Sequence, residues 1–256
     1  MDSSKYFVIA VDALGNGVSS SPSNSHAQPR MQFPRYSILD MVESQHQLFT
    51  RVLHINHVHA VIGISMGGMQ TFQWAVAYPG FMDKAISLVG SPRLAPYNLL
   101  LLQARVDAIE QNPVWKHGDY TEQPVPREAD EIAQLMLTTP EHYNRENTRE
   151  KFFAALKEPV SSGFDTNDRI RQEQAMMDLD VSATFDGSVE RAAAAVKADM
   201  LIIVSAHDHM VSPGPALEFA RLRHARTLVL ENDCGHLGPD CDMPKVRAAV
   251  AEFMEK

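Results

Sequence analysis

The stretch that most constrains this chain is "HAVIGISMGGMQTFQWAVAYPG", residues 59–80. An apolar run at 60–64 stops at Ser65, which sits among Gly63, Gly67 and Gly68, and an apolar helical pattern follows at once. A strand that runs straight into a helix is half of a parallel-sheet unit, because parallel strands need a crossover between them. The rhythm returns along the chain. Runs at 6–11 ("YFVIAV"), 83–91, 199–208 and 226–232 read as further buried strands. "RYSILDMVESQHQLFTRVL" has helical spacing with Ser37 as its N-cap, and "PGPALEFARLRHA" and "PKVRAAVAEFMEK" are amphipathic helices beside the last two strands. The expectation is an α/β fold: a mostly parallel sheet with helices on both faces.

Between residues 96 and 197 the strand signal vanishes. "LLLLQARVDAIEQN", "READEIAQLMLT", "ENTREKFFAALK", "NDRIRQEQAMMDL" and "SVERAAAAV" all read as helices. The chain therefore divides into a core, 1–95 with 198–256, and a helical insertion, 96–197.

Gly63-Ile64-Ser65-Met66-Gly67 fits G-x-S-x-G at a strand-to-helix turn, the context in which that pattern carries chemistry. A sharp turn holds the Ser65 hydroxyl above the sheet, and side chains at 63 and 67 are expected to collide with neighbouring backbone. The N–H of Met66, at the helix start, is then a donor to a developing oxyanion. Serine is a weak nucleophile and needs a base and an orienting carboxylate. Asp208 ends the run "LIIVSAHD" and His236 lies in "ENDCGHLG", both at carboxyl ends of strands. The order Ser65, Asp208, His236 is the one this kind of sheet uses. Asp208 could instead cap the next helix, and Asp233 and Asp240 compete with it from the histidine loop itself.

Other chemistry reads more weakly. The net charge of −9 and the lack of a basic stripe argue against a nucleic-acid partner. No 18-residue apolar stretch spans a membrane, and the start has no leader pattern, so the expected location is cytoplasmic. His54, His57 and His59 have loose metal-ligand spacing but precede a strand with no carboxylate in view, and "HDH" at 207–209 is no stronger. Neither a metal nor a cofactor is expected. Cys234 and Cys241 bracket His236; separate thiols are the expectation, although a disulfide would stiffen that loop.

Four pieces of the chain carry a family resemblance: "YFVIAVDALGNGVSSSPS", "FPRYSILDMVESQHQLF", "GISMGGMQTFQWAVAYP", and the insertion segments "DAIEQNPVWKHGDY" and "FDTNDRIRQEQAMMDLD". Together the sequence resembles an α/β-hydrolase of the homoserine O-acetyltransferase-like branch. The resemblance implies that 96–197 is a lid, that Ser65, His236 and Asp208 act together, and that the substrate is a small ester or acyl donor; a homodimer is compatible with it. Acetyltransferases of that branch carry an arginine in the lid for the substrate carboxylate; Val106 occupies the matching position here, beside Arg105. They also follow the histidine with Asp, where this chain has Leu237. Both departures favour a serine hydrolase over a homoserine O-acetyltransferase-type enzyme. The resemblance further implies that the first three strands of the usual sheet, and the loop giving a second oxyanion N–H, are absent here. Residues 6–11 and 59–64 then either leave an empty slot between them or close up, as in a truncated gene model or fragment rather than a genuinely shortened protein, and a catalytically impaired or binding form is a third reading.

Overall fold

Among the described residues four strands pair in the order β1 (Val58–Ile64), β2 (Met82–Leu88), β3 (Asp199–Ser205), β4 (Arg226–Leu230), all parallel. The computed structural model describes residues 4–124, 126–158 and 163–255. Helix α1 (Ile38–Gln47) precedes the sheet, and α2 (Met66–Ala77) links β1 to β2. Among the described residues, six α-helices follow between β2 and β3: α3 (Pro96–Glu110), α4 (Arg127–Leu137), α5 (Pro140–Glu146), α6 (Arg149–Ala155), α7 (Thr166–Met177) and α8 (Val189–Ala195). α9 (Gly214–Arg223) joins β3 to β4, and α10 (Gly238–Cys241) and α11 (Met243–Glu255) close the described chain. α5 and α10 are short, and the sequence periodicity does not announce either.

β3 explains why the sheet must be covered twice. Met200, Ile202 and Val204 face a cluster built with α1, α2, α8 and α9, around Phe72 and Phe219. Leu201 and Ile203 face the opposite way, onto Val246 and Phe253 of α11. A strand buried on both faces loses the apolar–polar alternation of a half-exposed one. The insertion has its own small cluster, Val106, Ile109, Trp115, Ala129 and Ile170, whereas α8 packs into the main core. α7 reaches back to the long polar loop after residue 12: Asp168 accepts from Ser23, and Arg171 donates to the carbonyls of Met31 and Phe33. The cap on α1 is a full capping box, Ser37 and Asp40 each satisfying the other's backbone.

One expected strand does not form. Residues 6–11 carry no strand pairing; Phe7 is 87% exposed. The segment runs alongside β1 across a cavity of about 430 Å³, lined by residues 6–11, by Val58 to Ile62, and by Phe49, Gln70 and Trp74. The physical reason is reach: ladder hydrogen bonds need strands about 5 Å apart, and the cavity keeps these two chains separated. The slot expected beside β1 is therefore open, not closed up.

The cysteines also depart from expectation. Cys234 and Cys241 form a disulfide rather than two thiols, with Cα atoms 6.6 Å apart. The turn through Gly235–Leu237 and the short α10 fold the loop back on itself and bring the two together.

Candidate active site

Ser65 follows β1 directly and caps α2 with φ 54° and ψ −119°, a conformation that a non-glycine residue adopts only when its surroundings enforce it. Its N–H donates to the Leu88 carbonyl at 2.9 Å, and its own carbonyl accepts from Met69 at 3.0 Å. These bonds pin the turn between β2 and the first turn of α2. The glycines divide the work differently from the sequence expectation. A Cβ on Gly63 would lie 2.0 Å from the Gly67 carbonyl oxygen, so Gly63 is required. A Cβ on Gly67 would meet nothing within 4 Å, because Gly67 lines the open cavity. The second close approach belongs to Gly68, whose Cβ would sit 2.8 Å from Ser87 Oγ and 2.9 Å from Gly90 Cα. Met66 opens α2, where the first N–H groups have no intrahelical acceptor.

The three side chains separated by up to 171 positions in sequence meet at this turn. His236 Nε2 lies 2.8 Å from Ser65 Oγ, and His236 Nδ1 lies 2.7 Å from Asp208 Oδ2. Asp208 and His236 are both buried, and Ser65 is half-buried. Asp208 does not cap the next helix, α9, whose N-cap is Pro213 without a side-chain bond; it holds the turn before that helix. Its Oδ1 accepts the backbone N–H of Met210 at 2.9 Å and of Val211 at 2.8 Å, which leaves Oδ2 for the histidine. A carboxylate held by two amides cannot rotate away, so it fixes the ring and keeps the proton on Nδ1. Nε2 then carries a lone pair facing the serine hydroxyl. Asp233, a competitor in sequence, points away to Arg145 on α5; that pairing holds its carboxyl down at about 2.

Sequence reasoning misses several partners that lie far apart along the chain. Arg105, beside the position where the resemblance expects a carboxylate-binding arginine, turns inward: its Nη2 lies 2.9 Å from Glu173 Oε1 and its Nε donates to the Ala129 carbonyl. The Glu173 oxygens nevertheless lack a well-aligned hydrogen bond. Burial, only partly offset by Arg105 and Arg169, raises this carboxyl to about 7. Val106 is buried in the insertion's own cluster. At the far end of the sheet, β2 supplies the carboxylate that the histidine-rich segment lacks in sequence: Asp83 lies 3.0 Å from His57 Nε2 and 3.3 Å from His59 Nδ1. Nothing in local spacing signals that pairing.

A serine on a strained strand–helix turn, facing a histidine fixed by a buried aspartate, is the constellation of one broad class of acyl-handling enzymes. The sequence profile of the alpha/beta hydrolase fold family matches residues 2–240, and the chain belongs to that family. It resembles an "Ethyl acetate hydrolase" of Pseudomonas veronii at 30% identity over 93% of this chain and 72% of that protein. It resembles a "Homoserine O-acetyltransferase" of Methanohalophilus mahii at 37% identity, over 53% of this chain and 29% of the relative's length. Among solved structures, an acetylester hydrolase from Corynebacterium glutamicum superposes with a TM-score of 0.92 at 25% identity, covering all of this chain and 78% of that one. The fold class and the homoserine O-acetyltransferase-like branch both stand, and the chain is an enzyme of the α/β-hydrolase fold. No helix among the described residues is long and apolar enough to cross a membrane.

Proposed function

We propose that this protein is a serine esterase working through an acyl-enzyme, on small ester substrates. Support comes from one observation above all: the unbroken run from Ser65 Oγ through His236 to Asp208, at 2.8 and 2.7 Å. Ser65 Oγ attacks the ester carbonyl carbon while its proton passes to His236 Nε2. The carbonyl oxygen becomes an oxyanion facing the Met66 N–H. The carbon–oxygen bond to the alcohol breaks, and the alcohol leaves with the proton from His236. Water then gives a proton to Nε2, adds to the acyl-enzyme, and releases the acid with Ser65 regenerated. Asp208 stabilises the imidazolium formed at each stage. Residues 96–197, in this reading, form the lid that shapes the pocket, and the cytoplasm is the proposed location.

The test is hydrolysis of p-nitrophenyl acetate with Ser65→Ala, expected to lower kcat by at least about 10⁴-fold, as removal of a triad nucleophile does. Turnover within tenfold of the parent would overturn the assignment. A fluorophosphonate probe separates a working site from an impaired or purely binding form: stoichiometric labelling of Ser65 supports the esterase.

A second reading passes the same acyl group to a hydroxyl of an amino acid. The relative named as an acetyltransferase favours it. Against it stands Arg105, whose guanidinium is spent on Glu173 inside the insertion and not offered to a substrate carboxylate. Release of free CoA from acetyl-CoA that depends on added homoserine would reverse this preference.

A further inference from the structure

We propose that Arg145, on the insertion helix α5, is a positioning residue for His236, acting through Asp233 and the disulfide-closed loop that carries the histidine. This rests on reading His236 as the base of the esterase. Arg145 Nη1 and Nη2 grip both oxygens of the Asp233 carboxylate, the second at 3.0 Å. Beside it, Thr139 Oγ1 donates to the Asp233 carbonyl at 2.6 Å. His142 Nδ1 accepts from Arg145 at 2.9 Å and lies 3.4 Å from Cys234 Sγ. The backbone closes in as well. Gly235, at φ +61°, sits so near the end of α4 that a Cβ there would lie 2.9 Å from Thr138 Cα. Four residues of this seam, Thr138, Thr139, His142 and Arg145, thus hold Asp233, Cys234 and Gly235, the three positions immediately before His236.

The disulfide explains why a grip on Asp233 reaches His236. Cys234–Cys241 closes residues 234–241 into a ring, and Asn232 ties its base by donating to the Gly238 carbonyl at 3.1 Å and to Asp242 at 2.9 Å. These ties are internal to the loop. They make it stiff, but they do not say where it sits over the sheet. Its placement comes from outside contacts: the insertion at Asp233 to Gly235, Asp208 at the histidine, and Gly238 packed against Ser205. A stiff loop moves as a unit, so releasing its Asp233 end displaces the imidazole. An error of about 1 Å in a reacting group costs on the order of 10²-fold in rate. Arg145 is half-exposed, and an exposed ion pair adds little to global stability. Its effect should therefore appear in kcat without a comparable loss of melting temperature.

The test compares the parent with Arg145→Ala, Arg145→Lys and the exchanged pair Arg145→Asp with Asp233→Arg. Two signals are read: p-nitrophenyl acetate kinetics, and the low-field proton resonance of His236 Nδ1–H, assigned by its loss in His236→Gln. Expected in Arg145→Ala is a ten- to hundredfold fall in kcat, KM within twofold, a broadened or lost resonance, and melting within a few degrees of the parent. Arg145→Lys should retain an intermediate rate, and the exchanged pair should recover at least tenfold over Arg145→Ala. An unchanged kcat and resonance in a folded Arg145→Ala overturns the proposal, as does an exchanged pair no better than Arg145→Ala. Should the parent neither turn over ester nor label with a fluorophosphonate, the esterase reading fails on its own account, and the resonance still decides whether Arg145 sets His236.

Discussion

The two flanks of β1 end in opposite states, and not in the way their residues suggest. On one side β2 runs parallel in continuous register, Val58 opposite Met82 through Ile64 opposite Leu88. On the other, residues 6–11 lie across a cavity, without ladder bonds and with Phe7 in solvent. By sequence the unpaired segment is the stronger strand former: residues 6–11 include Val8, Ile9 and Val11, whereas β2 carries Asp83, Lys84 and Ser87 and one β-branched residue, Ile86. The difference shows that strand propensity is a statement about fitting a neighbour, not a property of the run itself. Every side chain proposed for the chemistry lies at the carboxyl ends of β1, β3 and β4, so the site is assembled within the paired sheet.

The largest effect expected from this contrast is at the glycines. Gly63→Ala forces a Cβ to 2.0 Å from backbone and should cost more than about 3 kcal/mol, whereas Gly67→Ala, facing the cavity, should stay within about 0.5 kcal/mol. Urea denaturation measures both, and equal costs would erase the distinction between the two sides of the turn. Next is burial. Ile86→Ala, at a fully buried position on β2, should cost roughly 2–5 kcal/mol, and Phe7→Ala on the open side roughly 0.5 kcal/mol or less. A large cost at Phe7 would mean that residues 6–11 are packed in solution after all.

The smallest effect concerns a third kind of interior, the charged one of the insertion. Burial raises the Glu173 carboxyl from the ordinary range near 4.5 to about 7. A folded pKa above the unfolded one means that the native state binds the extra proton. The group's contribution is thus complete below about pH 4.5 and is lost as pH rises through about 7. Glu173→Gln removes that slope. The stability of the parent relative to Glu173→Gln should decline by roughly 2–3 kcal/mol between pH 5 and pH 8. A constant difference would show that Arg105 and Arg169 hold the carboxylate charged throughout.

Much of this was legible in advance for a definite reason. The Ser65 turn, the Ser37 cap and the strands at β2, β3 and β4 are written in contiguous residues, because turns, caps and runs are short-range chemistry. The order Ser65, Asp208, His236 was legible too, since each sits just past a strand's carboxyl end. What spacing could not express is which distant atoms are spent on one another. Gly235, for instance, reads as one more loop glycine until the end of α4 is seen against it.

The sequence by itself determined a parallel sheet with helices on both faces and a serine at a strand–helix turn. Only the tertiary structure decided that 6–11 stays unpaired, that Gly68 and not Gly67 makes the second close approach, and that the cysteines join. It alone turned Arg105 to Glu173, Arg145 to Asp233, and Asp83 to His57 and His59. Local periodicity records what a residue needs from its immediate neighbours; these pairings span from 7 to 88 positions, and only the packed chain brings such partners within a few ångströms.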